Sequence, residues 1–84
     1  MSIRAAKNNI KAAESAKYSA EQNLRSATAY LRLIDRGYKE GTNSLIEFID
    51  ARNQFTLSEL KLTIANYSLL SAVAELEREL QTLN

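Results

Sequence analysis

Cysteine, histidine, proline and tryptophan are all absent from this chain, and glycine occurs only twice. Without cysteine there is no disulfide framework, no thiol nucleophile and no cysteine-ligated zinc. Without histidine or cysteine the chain has no side chain poised as base or nucleophile near neutral pH, so an enzyme has little to stand on. The absence of proline, with Gly37 and Gly41 close together, leaves one place built for a chain reversal. Long apolar runs are missing too: the densest patch, "SLIEFI", is interrupted by Glu47, so nothing here reads as a membrane-spanning helix. The opening "MSIRAAKNNIKAA" has early charges but no apolar stretch after them, so no export signal is visible. Eleven basic against ten acidic residues leave a formal charge of +1, which points to no nucleic-acid partner.

What is present is periodicity. In the first half, Ile3, Ile10, Leu24, Leu31 and Tyr38 share a seven-residue row broken only by Lys17. Ala6, Ala13, Ala20, Ala27 and Ile34 form a second row three positions on. These are the a and d positions of a coiled coil, and the alanines let a partner helix approach closely. Lys17 can keep its charge in water by laying its stem along the seam. Arg4, Lys11, Tyr18, Arg25 and Arg32 fall on an outer row, as a solvated face would have.

The second half carries an unbroken row, Phe48, Phe55, Leu62, Leu69, Leu76 and Leu83. It also carries another apolar set, Ile46, Leu57, Leu60, Ile64, Tyr67 and Ala74. At about 100° per residue the two sets lie on nearly opposite sides of a helix. One partner cannot cover both. Either the helix sits inside a small bundle or it has a neighbour on each side, as in a wall of helices.

Between the halves, Gly41 stands where the first helix needs a left-handed residue after its C-cap. "SLIE", Ser44 to Glu47, is a capping box, with Thr42 as a competing cap. The expected architecture is all-α: a single long antiparallel helical hairpin over residues 1–84, with helices over about 3–40 and 44–83 and a turn at 41–43. Each arm is then roughly 57 Å long at 1.5 Å per residue. A lone hairpin leaves the second apolar face wet, so the chain is expected to self-associate or to form part of a larger assembly. No metal set is present: Glu47 and Asp50, one turn apart, supply too few ligands and suit the N-terminus of a helix as plain charges. No cofactor is implied.

The stretch from Gly37 onward, with Tyr38, Gly41, Thr42, Ser44, Glu47, "FIDAR" and then "IANYSLLSAVAEL", resembles the outer-membrane efflux protein family, the TolC-like exit ducts of Gram-negative bacteria. The preceding "SAEQNLRSATAYLRLIDRGY" matches the alanine-rich approach helix of that family. The resemblance implies a trimer whose long helices make a periplasmic α-barrel, each helix flanked on both sides. This chain would be an excised tip hairpin, from the periplasmic portion of an outer-membrane protein, and "LQTLN" resembles the C-terminal repeat. It further implies that Gly41, Thr42, Asn43, Ser44 and Leu45 dock the hairpin of a periplasmic adaptor (membrane fusion) protein. Tyr38 and Asn43 would then lie at the aperture, with Glu47 and Asp50 as an acidic ring at the entrance. Asn43 stands where the best-known member has an arginine, so a hydrogen-bonded latch or none replaces that part of the gate. Tyr38 can equally pack the end of the hairpin, and Arg52 reads as a surface ion-pair partner for a neighbour such as Asp50. The alternative reading is a structural coiled-coil hairpin, or an adaptor-side hairpin of the same kind of pump.

Overall fold

The computed structural model describes residues 3–82 and consists of two helices, α1 (Ile3–Lys39) and α2 (Leu45–Thr82). They run antiparallel and pack on each other along their length as a rod of 65 × 13 × 12 Å. The all-α hairpin expected from the two periodic segments is therefore the fold, and no strand occurs among the described residues. Leu83, the last member of the phenylalanine–leucine row, lies outside them. No described helix is long and apolar enough to cross a membrane.

The seam is made of small residues. On α1 the buried positions are Ala6, Ala20, Ala27, Ile34 and Gly37, four of them on the alanine-rich row or its end. Ile3, Ile10, Leu24 and Leu31 flank them half-buried, and Lys17 is half-buried as a seam lysine with its head in water would be. On α2, Phe48, Phe55, Leu62, Leu69 and Leu76 are likewise half-buried. The fully covered positions of α2 are instead Ala51, Ala65 and Ala72, a second seven-residue row three positions after the phenylalanines. That row is interrupted by Ser58 and lies beside larger apolar residues, so unlike the alanine row of α1 it gives no continuous signal in the sequence. Its role is geometric: paired alanines bring the two backbones close, and the larger residues close over the alanines from the sides. No large side chain is fully buried among the described residues, so no core sits inside the hairpin beyond this thin line.

The two outward faces differ in kind. Along α2, Ile46, Leu57, Leu60, Ile64 and Tyr67 are between 51% and 79% exposed, and Ala74 is exposed with them. The second apolar set is thus uncovered in the hairpin, on the side away from the seam. Along α1 the outward face is mixed: Ala12, Ser15, Ser19, Ser26 and Ala29 are exposed there, with Tyr18 and Leu33, each 65% exposed, among them.

Candidate functional site

The end of the rod where the helices meet is the most specifically built part of the chain. Gly41 has φ of +83°, the left-handed conformation that side-chain-bearing residues rarely adopt. Around it the Thr42 amide donates to the Gly37 carbonyl at 2.7 Å and the Gly41 amide to the Tyr38 carbonyl at 3.2 Å. Those two bonds, six-to-one and five-to-two, are a Schellman motif, and they use carbonyls that the end of α1 would otherwise leave open. The Asn43 amide at 3.1 Å and the Thr42 hydroxyl at 3.1 Å also donate to the Gly37 oxygen. Thr42, a competing helix cap in the sequence, therefore turns back to α1.

Ser44 caps α2. Its Oγ accepts the Glu47 amide at 3.2 Å and donates to Glu47 Oε1 at 3.3 Å. The Glu47 carboxylate reaches one residue further still, where Asn43 Nδ2 donates to Oε2 at 2.7 Å. The Asn43 amide, foremost, and then the Ser44 backbone amide hold the Glu47 carboxyl below its usual value. The sign of the consequence is fixed. A carboxyl whose folded value is depressed stabilises the fold above the ordinary glutamate range, and that contribution is lost as pH falls through the folded value. Thermal unfolding of the chain is thus expected to shift downward between neutral and strongly acidic pH, and Glu47→Gln is expected to shrink that shift. An equal shift in both proteins would show that the loss arises elsewhere.

Asp50, one turn along, accepts from Gln54 Nε2 at 2.8 Å. Glu47 and Asp50 are therefore each held by a neutral amide, and neither has an ion pair among the described residues. Their charges are oriented and not cancelled. Arg52, read as a partner for a neighbour such as Asp50, instead borders a surface groove with Leu31, Asp35, Phe48 and Phe55. Tyr38 is stacked on Phe48 across the hairpin, ring centroids 5.2 Å apart and planes at 18°, and remains 40% exposed. Leu45 is 53% exposed at the first turn of α2, beside Ile46.

The residues expected at the tip fall into two groups. Gly41, Thr42, Asn43, Ser44 and Leu45 form one continuous surface at the end of the rod, with open space around the Gly41 α-carbon. Tyr38, Glu47 and Asp50, with Asn43 shared between the groups, make their contacts with other residues of the hairpin, on its surface. Gly37 was not singled out in the sequence as a site residue, yet it takes three donors on one carbonyl. The signal that could have found it is its place four residues before Gly41, where the Schellman acceptor must fall. Among the described residues there is no cluster of acidic side chains that could hold a metal ion.

The sequence model of one protein family, described as outer membrane efflux protein, matches residues 2–80. Outer membrane protein TolC of Vibrio cholerae serotype O1 is 29% identical over 82 residues, which is 98% of this chain and 19% of that protein. The chain therefore spans about a fifth of the length of this curated relative. No solved structure matches it.

Proposed function

Since this chain belongs to the outer membrane efflux protein family, we propose that its hairpin is the periplasmic tip of a trimeric efflux duct in a Gram-negative outer membrane. The observation that carries this reading is the uncovered apolar face of α2, where Leu57, Leu60 and Ile64 are more than half exposed opposite a seam that is already filled. A helix with two apolar faces needs two neighbours, and a wall of hairpins supplies the second. The exposed alanines and serines of α1 offer small positions for the large side chains of α2, and Leu33 adds an apolar contact of its own. Contact of unlike faces is head-to-tail, and such contacts close into a ring when the rotation allows. In this arrangement the hairpin is one element of an α-barrel and performs no chemistry.

The end of the rod docks the hairpin of a periplasmic adaptor. Gly41 permits close backbone approach because nothing lies within 4 Å of the place a side chain would occupy. Thr42, Asn43 and Ser44 give the surface its polar character, and Leu45 adds an exposed apolar edge. Glu47 and Asp50, held by amides, place negative charge around the aperture and favour cations there. Tyr38 and Asn43 serve the aperture by fixing the shape of the tip. Replacing Gly41 by Trp is expected to weaken adaptor binding at least tenfold, about 1.4 kcal/mol, with Gly41→Asn as the control that accepts the left-handed backbone. Binding is read by sedimentation with a purified adaptor hairpin, and helicity by circular dichroism. A folded Gly41→Trp chain that binds like the parent would remove the docking role.

A further inference from the structure

We propose that Gly37 is the positioning residue of the tip: its missing side chain is the seat into which Asn43 folds, and from that seat Asn43 holds the Glu47 carboxylate. Gly37 lies near the end of a regular helix, where its backbone needs no special conformation, and it is buried. Alanine would favour the helix more, since glycine gives up more backbone freedom there. The reason for glycine is the space. A β-carbon at this position would fall onto Asn43 Oδ1, lie 2.7 Å from Asn43 Cγ and 3.0 Å from Thr42 Oγ1. Real β-carbons do not approach a carbonyl carbon that closely, so Asn43 would have to leave.

The same residue anchors the loop through its carbonyl, which accepts from the Thr42 amide, the Asn43 amide and the Thr42 hydroxyl. With the Asn43 backbone tied there and its side chain lying on the bare α-carbon, Nδ2 is aimed at Glu47 Oε2, 2.7 Å away. Gly37 thus acts on Glu47 through Asn43, from the opposite helix. A latch between hairpins through Asn43 would first have to break this contact. The contact stands apart from adaptor docking; only its consequence at the aperture rests on the function proposed above.

The experiment uses the full chain as wild type, Gly37→Ala, Asn43→Ala and the double variant, at one protein concentration. Thermal unfolding is followed together with the Glu47 side-chain carboxyl titration by carbon-13 NMR. Gly37→Ala is expected to raise Tm less than the helix preference of alanine alone would, because the Asn43 side chain must first swing off its seat. It is also expected to raise the Glu47 carboxyl toward the ordinary glutamate range by as much as Asn43→Ala raises it, the Ser44 bonds still holding it below that range. In the Asn43→Ala background the overlap with Asn43 is gone and only the tight approach to Thr42 Oγ1 remains, so the same alanine is expected to raise Tm by more. An equal change of Tm in both backgrounds, or a Glu47 titration that Gly37→Ala leaves unmoved, would overturn the proposal. Complete unfolding of Gly37→Ala with recovery in the double variant supports it, and unfolding of both overturns it.

Discussion

Glutamate at Leu60 and Ile64 together is expected to weaken self-association of the chain roughly 10- to 100-fold or more while leaving the hairpin helical. Both side chains are uncovered, 54% and 56% exposed, on the face of α2 turned away from Ala51 and Ala65. Full burial of one such aliphatic is worth about 1.5–3 kcal/mol, and each 1.4 kcal/mol is about tenfold in a dissociation constant. At 54% and 56% exposure about half of that remains to be gained at each. The two together come to about one decade at the low end and two at the high end, and the cost of burying two carboxylates adds to it. Because neither residue touches the seam, the variant should keep its circular dichroism spectrum. Sedimentation over a concentration series reads the difference directly. If parent and variant dissociate alike, the outer face is simply wet, and the wall of hairpins loses its main support.

The second large effect belongs to Gly41. Valine there is expected to cost about 1–3 kcal/mol of stability, because a β-branched residue is forced into the left-handed region. The position is well suited to such a test. Nothing lies within 4 Å of an added β-carbon, so the cost comes from the backbone alone and not from a clash. Asparagine tolerates that conformation and should cost only a fraction as much. Denaturant unfolding of Gly41→Val and Gly41→Asn separates the two. Equal stabilities would mean that the chain turns without holding φ positive, and the Schellman bonds to Gly37 and Tyr38 would then rearrange.

Much of this molecule was legible in the sequence, for physical reasons that can be named. Seven-residue rows survive any change of surroundings, since the spacing alone decides which side chains share a face. The alanine row of α1, the phenylalanine–leucine row of α2 and the exposed set from Ile46 to Tyr67 were all read that way. Ser44 and Glu47 were legible as a cap because their reach is local. The row of Ala51, Ala65 and Ala72 was not, because Ser58 breaks it and the phenylalanine–leucine row beside it carries the stronger signal. Nor was the pairing of Asn43 with Glu47. It depends on the loop being pulled onto Gly37, which in turn depends on the conformation of Gly41. Gly37 itself looks like a blemish in a helix until the residue lying on it is known. Arg52 misled for a related reason: Asp50 had a nearer partner in Gln54, one turn ahead on its own helix.

The thinness of the seam has a mechanical consequence. A rod whose cross-section is two helices, joined by a line of alanines, has no central mass to make it melt as one body. Each layer is supported mainly by the layers above and below it, so the hairpin behaves as a zipper with one closed end. The closed end is also the reinforced one, with Ile34, the Tyr38–Phe48 stack, the Schellman bonds and the Ser44 cap crowded into its last turns. Among the described residues the seam is therefore hardest to open at the tip. That end carries the surface proposed to meet a partner.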